Sequence, residues 1–252
     1  MKRFLLFVIT LFLFSFASKA QLIWEERFEY EQGTNLEGQG GWMLGTGKWT
    51  SGDSPKVRSA KIKYSGYASS ESGSVRINGT GINRITYRTI DQSGINNGSV
   101  YIAMLINLES VDGVRDFITL DGGTGSSPRA KIFIRPAGTG FSIGASMSDA
   151  KTAVFTRGLA YKTPHLIVLK YTFVKKDEKM PVDNNDRIAL FVNPRPELPE
   201  NKQDAVKFVR SLDDKAEDMK AVKAVNIRQC GVSGLISGMR VAKSWNAAVK
   251  GN

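Results

Sequence analysis

Apolar and polar residues alternate at every second position wherever apolar residues cluster, which is the signature of half-buried β-strands. The clearest case runs from His165 to Val174, where Ile167, Leu169, Tyr171 and Phe173 share one face. The opposite face carries Leu166 and Val168 and turns polar at Lys170 and Thr172. Val100 to Leu108 repeats the pattern, with Ile102, Met104, Ile106 and Leu108 set against Tyr101, Ala103, Leu105 and Asn107. Both read as central strands. Further strands are expected at 22–29, 60–64, 74–78, 83–89, 115–120, 130–135, 140–145, 153–156, 187–193, 222–229 and 238–243. Gly, Asn, Asp, Ser or Pro separates most of them, as turns require, so about thirteen short strands are expected. Many short strands, glycine-rich connections and almost no helical spacing predict an antiparallel sandwich or barrel.

Two regions depart from this pattern. Pro194, Pro196 and Pro199 interrupt the strands, and the charged stretch that follows has weak helical spacing, so one short surface helix is expected around 203–219. Residues 1–20 combine Lys2 and Arg3, an apolar run from Phe4 to Phe16, and the small residues of Ser18-Lys19-Ala20. That is the layout of a secretory signal peptide, and the apolar run is shorter than the ~20 residues a membrane-spanning helix needs. The chain is therefore expected to be exported, to the periplasm or beyond the cell, as a single domain over residues 21–252.

Composition narrows the reading further. Cys230 is the only cysteine, so no intramolecular disulfide exists and stability must come from burial. Without Lys2, Arg3 and Lys19, the 35 basic residues fall to 32 against 24 acidic ones. The excess is scattered singly along strands, at Lys61, Lys63, Arg84, Arg88, Lys131 and Arg135, and forms no basic run of the kind that tracks a phosphate backbone. Nucleic acid is not an expected partner.

Several stretches, taken in order, resemble the exported concanavalin A-like (laminin G-like jelly-roll) domain proteins of the Bacteroidetes type. They are FEYEQGTNLEGQGGW at 28–42 followed by Trp49, KIKYSGYASS at 61–70, VYIAMLINL at 100–108, AKIFIRPAGTGFSIGAS at 130–146, LIVLKYTFV at 166–174, DRIALFVNPRP at 186–196, NIRQ at 226–229 and ISGMRVAKSW at 236–245. The resemblance implies an all-β fold of two packed antiparallel sheets, one of them concave, a jelly-roll sandwich. It does not select a function, because this fold hosts lectins, glucanases and adhesion modules alike.

Candidate chemistry is sparse. Glycoside hydrolysis needs two carboxylates about 5–10 Å apart, and the resemblance implies a Glu-x-Asp-x-x-Glu strand for it, which the chain lacks. Glu25, Glu26 and Glu29 read as solvated charges on an edge strand. His165 is the sole histidine and has no Gly-x-Ser-x-Gly elbow to serve, so it reads as structural. Cys230 reads as a small buried hydrophobe. Calcium is the one cofactor left open, with Asp183, Asn185 and Asp186 as its candidate ligands and Asp112, Asp116 and Asp121 as a second acidic group. The same residue types close tight turns.

Sugar recognition rests on aromatic faces beside amide and carboxylate groups. Trp42, Trp49, Tyr64 and Tyr67 lie in a glycine-rich stretch and form the candidate carbohydrate-binding patch. Packing of Trp42 and Trp245 under loops to close the sandwich is the competing account. The function expected is that of a non-catalytic exported module that binds a carbohydrate or a cell-envelope protein. The alternatives are a glycan-active hydrolase or lyase whose carboxylates come from distant strands, and an adhesion protein without sugar specificity.

Overall fold

The computed structural model describes residues 21–46, 50–79, 83–122, 129–156, 158–174, 185–207 and 218–251. Among them run sixteen strands: β1 (Leu22–Glu26), β2 (Trp42–Leu44), β3 (Thr50–Ser51), β4 (Lys56–Arg58), β5 (Ser74–Ile77), β6 (Asn83–Thr89), β7 (Ser99–Val111), β8 (Arg115–Asp121), β9 (Arg129–Ala137), β10 (Gly140–Ser146), β11 (Val154–Phe155), β12 (His165–Thr172), β13 (Arg187–Val192), β14 (Ala205–Lys207), β15 (Ala224–Gln229) and β16 (Val232–Ala242). A short helix, α1 (Trp245–Val249), follows the last strand.

These strands make two eight-stranded sheets. The first has the order β14-β13-β12-β7-β16-β5-β4, with β1 also paired to β16. The second has the order β11-β10-β9-β8-β15-β6-β2, with β3 also paired to β6. Every pairing among the named strands is antiparallel. The chain is an all-β sandwich, and its two antiparallel sheets fit a concanavalin A-like fold.

The period-2 pattern explains how the layers meet. Ile102, Met104 and Ile106 of β7 and Ile167, Leu169 and Tyr171 of β12 point to the same side and are buried. Ile118, Leu120, Ile132, Ile143 and Ile227 of the second sheet face them. Burial of each such side chain contributes roughly 1.5–3 kcal/mol before entropy is counted.

The reverse side of the first sheet is buried as well. Tyr101, Ala103 and Leu105 of β7, with Leu166 and Val168 of β12, form a second apolar cluster with Phe191, Ile62, Tyr67, Trp245 and Val249. The segment around residues 62–71 and α1 are the cover. The Trp245 ring lies 4.8 Å from that of Phe191, and its Nε1 donates to the Leu198 carbonyl at 3.1 Å. The Tyr67 hydroxyl donates to the Gly238 carbonyl at 2.6 Å. Gly238 has φ +50°, and a Cβ there would fall 2.2 Å from the Ser69 carbonyl oxygen, so only glycine admits this close approach. Buried Arg240 ties the cover down, with an ion pair to Glu25 at 2.8 Å and a hydrogen bond to the Ala247 carbonyl at 3.1 Å.

Three expectations need correction. Residues 60–64 are not a strand: Ile62 and Tyr64 leave the sheet to pack against its reverse side. The helix expected around 203–219 is not formed where the chain is described, since Ala205–Lys207 pair with β13 as β14, and 208–217 lie outside the described residues. The α-helix present is α1, which Ser244 caps by accepting from the Ala247 amide. Glu26 is not a solvated edge charge; it is 3% exposed and accepts from the Phe28 amide, Tyr30 Oη, Trp42 Nε1 and Arg88 Nη1 at 2.6–2.9 Å. The signal-peptide segment lies outside the described residues.

Candidate functional site on the outer face of the second sheet

The two sheets treat their outer faces differently. Outside the first lies the apolar cluster just described, whereas the outside of the second collects polar side chains and forms no apolar cluster among the described residues. Register explains which residues arrive there. Val225 and Ile227 of β15 point into the core beside Leu120 and Ile118, so Asn226 and Arg228 point outward. Asn226 is paired with Thr119 of β8 on one side and Tyr87 of β6 on the other. Lys131 of β9 stands next to Thr119, and Phe133 and Arg135 follow it at period two.

Strand β8 carries a register shift between Asp116 and Ile118. Phe117 and Ile118 both enter the core, and the broken alternation lets Asp116 share the outer face with Thr119 and Asp121. Three otherwise separate polar residues of one strand therefore reach one surface.

Their contacts are specific. The Asn226 amide nitrogen donates to Thr119 Oγ1 and to Asp121 Oδ2, each at 2.9 Å. An ionised carboxylate only accepts, so this pairing sets which end of the amide faces Asp121. Asn226 is fully buried, and its Oδ1 has no hydrogen-bond partner among the described residues. Asp116 is bonded by Arg228 Nη1 and lies 3.8 Å from Lys131 Nζ. Burial pushes the Lys131 ammonium below its ordinary range, and the neighbouring Asp116 offsets this only in part.

Aromatic surface lies beside the polar row. Tyr87 is half-buried. Phe155 of β11 sits over Gly144, where a Cβ would come within 2.9 Å of its ring, and Arg135 stacks on that ring at 4.2 Å from its centroid. Arginine stacked on an aromatic ring keeps its edge donors free for a ligand.

Asp116 and Asp121 are five residues apart on one strand, or about 13–16 Å along the backbone at 3.3 Å per residue with allowance for the bulge. That exceeds the separation of a glycosidase acid pair.

The residues singled out from sequence fall elsewhere. Trp42, 1% exposed, stacks on Phe28 at 6.1 Å and donates to Glu26, so it is a core residue and offers no face to a sugar. Tyr67, 4% exposed, belongs to the cover of the first sheet, as does Tyr64, which is half-buried and donates to the Pro194 carbonyl at 3.1 Å. Trp49 lies outside the described residues. Of the four residues of the expected patch, Trp42 and Tyr67 are committed to packing, Tyr64 is half-buried, and Trp49 is not among the described residues.

Asp183 also lies outside the described residues. Asp186 is turned inward and accepts from Tyr171 Oη and, at 2.7 Å, from the Val174 amide, while Asn185 is tied through its amide to Asp218 at 2.8 Å. Both Asp186 oxygens accept from protein donors, which ties the ends of the neighbouring strands together. Asp112 pairs with Arg115 at 2.9 Å on a turn, separate from Asp116 and Asp121. His165 is buried, with Nε2 donating to the Ala160 carbonyl at 3.0 Å and Nδ1 accepting from Asn193 Nδ2 at 3.0 Å. Cys230 is half-buried.

Asn226, Thr119, Arg228 and Tyr87 were missed as site residues, and Asp116 and Asp121 were weighed only as an acidic group for calcium. The readable signal was their period-2 placement, Asp-Phe-Ile-Thr-Leu-Asp at 116–121 and Asn-Ile-Arg at 226–228. Nothing in the sequence pairs strands a hundred residues apart.

No protein-family model matches the chain, and no curated protein does. Among solved structures it is similar to the cellulose-induced protein Cip1, at 14% identity, over 88% of this chain and 97% of that one, with a TM-score of 0.50. It is similar to the same degree to a structure reported under endo-acting O-glycanases that prominent members of the human gut microbiota express to initiate mucin breakdown, at 11% identity over 88% and 99% of the two chains. At such identity the likeness is one of fold.

Proposed function

We propose that the outer face of the second sheet binds carbohydrate and does not cleave it. The observation that carries this reading is the Asn226 carboxamide. Its nitrogen is committed to Thr119 and Asp121, and its oxygen is a buried acceptor with no donor among the described residues, which costs about 1–3 kcal/mol if nothing satisfies it. Asn226 is fully buried, so a sugar hydroxyl reaches that oxygen only where a covering side chain such as Tyr87 or Lys131 turns aside, and it would then donate to it. The Thr119 hydroxyl, which accepts from Asn226, keeps its own proton to give. Tyr87 and Phe155 offer rings to the C–H faces of pyranoses. Glycans are also the natural first ligands to test because both fold neighbours are described by a link to them, one as induced by cellulose and one in mucin breakdown.

The wide spacing of Asp116 and Asp121 and the ion pairs at Asp116 favour binding over hydrolysis. Export to the periplasm or the cell exterior, the role expected from the leader, would bring the chain to such ligands. No helix among the described residues is long and apolar enough to cross a membrane.

The test is titration of the purified chain with a broad panel of soluble and immobilised glycans, repeated with Asn226→Ala and Thr119→Val. The reading expects at least one saturable ligand, bound tenfold or more weakly by each variant, and unchanged on long incubation. Absence of any glycan ligand, or loss of intact ligand with release of reducing ends, would overturn it.

A further inference from the structure

A second surface, around strands β4 and β5 at one end of the first sheet, gathers positive charge. Lys56 and Arg58 of β4 and Arg76 of β5 line one small cleft with Asn78 and Gln229, and Asp53 is the sole carboxylate on its walls. In the β4–β5 register Lys56 stands directly opposite Arg76, a like-charge cross-strand pair that disfavours the pairing.

The three cations are not equally compensated. Arg76 is held in a fork by Glu109, at 2.8 and 2.5 Å, and Lys56 donates to the neutral Asn35 Oδ1 at 2.5 Å. Arg58 has no hydrogen bond or ion pair among the described residues. Lysine on an end strand is a common guard against edge pairing. That accounts for single charges and not for three that converge on one concavity.

The wall opposite the cations is braced. Gln229 donates to the Asp53 carbonyl at 2.6 Å and accepts from the Asn78 amide at 2.9 Å, so the cleft has its shape before any ligand arrives. The Asn78 side-chain oxygen accepts from Ser233 Oγ at 3.3 Å, which leaves its NH2 group to donate.

We propose that this cleft is an oxyanion site, taking a tetrahedral sulfate or phosphate group. Arg58 supplies the planar fork that matches two oxygens of such a group, Lys56 a point charge, and Asn78 a neutral donor. The group is carried either by a free ion or by a sulfated or phosphorylated polymer. The proposal does not depend on sugar binding at Asn226, because the two sites share no residue.

The experiment is a titration of the purified chain with sodium sulfate and sodium phosphate, ionic strength being held constant with sodium chloride, followed by amide chemical shifts and calorimetry. Expected are saturable binding in the millimolar range, shifts confined to residues near Arg58 and Asn78, and at least a tenfold loss in Arg58→Gln. Glu109→Gln releases Arg76 to the cleft and is expected to tighten sulfate binding several-fold, a gain that misfolding cannot produce. Dextran sulfate against neutral dextran separates the sources: binding of the sulfated polymer alone, lost in Arg58→Gln, assigns the group to a polymer, and binding of the free ion alone assigns it to the ion. Shifts that grow without saturation and equally in chloride, or affinities unchanged in both variants, would overturn the proposal.

Discussion

The outer faces of the two sheets make the most instructive contrast in the molecule. Strands β7 and β12 are apolar on both sides, so the first sheet has two faces to bury, and the second of these takes α1, the segment around Ile62 and Tyr67, and the Phe191–Trp245 contact. Strands β8 and β15 are apolar on one side only, and their other side carries Asp116, Thr119, Asp121, Asn226 and Arg228 joined in short polar chains. An apolar face must be covered to be stable in water, and a polar face so organised has partners to gain from a ligand. Packing therefore covers the apolar face, and the polar face is the one we propose for glycan binding.

Mutations should separate the two. The largest effect is expected from Trp245→Ala, which removes the ring packed on Phe191 and the Nε1 bond to Leu198. The expected cost is about 3–5 kcal/mol in a denaturant titration, with glycan affinity retained in whatever fraction stays folded. A cost below about 1 kcal/mol would mean that the cover of the first sheet is dispensable and that the contrast is misdrawn.

Next in size is an acid transition at the edge of the sandwich. Burial alone would raise the Glu37 carboxyl, but hydrogen bonds from Arg84 and from Thr86 at 2.7 Å outweigh it and hold the group below its ordinary 4.5. A carboxyl whose folded-state value is lowered binds its proton less readily when folded. Its contribution is complete above about pH 5 and fades as pH falls through the lowered value. Glu37→Gln should remove stability at pH 6 and make little difference near pH 2, as read from unfolding midpoints at the two pH values. The opposite pH dependence would contradict the lowered value.

On the polar face, Asn226→Ala should cost only about 1 kcal/mol of stability, since it removes a bridge and an unpartnered oxygen together, while it abolishes most glycan affinity. The smallest effect is expected at Met43, which is 41% exposed on the outer face of β2, next to Tyr87. Met43→Lys should change stability by less than about 0.5 kcal/mol. Its effect on glycan affinity marks how far the binding face extends toward that edge.

How much of this was legible from the residues differs between fold and site. The period-2 runs at 100–108 and 165–174 announced the central strands, and turn residues marked most of the others, because these signals are local. The short strands β2, β3, β4 and β14 escaped notice, since two or three residues contain too little alternation to read. The site was legible only as fragments. Asp116 and Asp121 look out of phase until the bulge in β8 is known, and Asn226 meets Thr119 only through pairing across more than a hundred residues. Trp42 and Tyr67 misled for the converse reason: residue type and glycine-rich surroundings suggest exposure, yet long-range packing buries them. Glu26 repeats the lesson, as a carboxylate near an apparent edge that proved to be a buried acceptor for four donors.

The most direct test of the binding face is amide chemical-shift mapping with whichever glycan the panel returns as strongest. The account predicts shifts centred on Thr119, Lys131 and Asn226, spreading to Tyr87 and Phe155, with β7, β12 and α1 unmoved. Shifts centred instead on Tyr64, Tyr67 and Trp245, over the covered face of the first sheet, would contradict it.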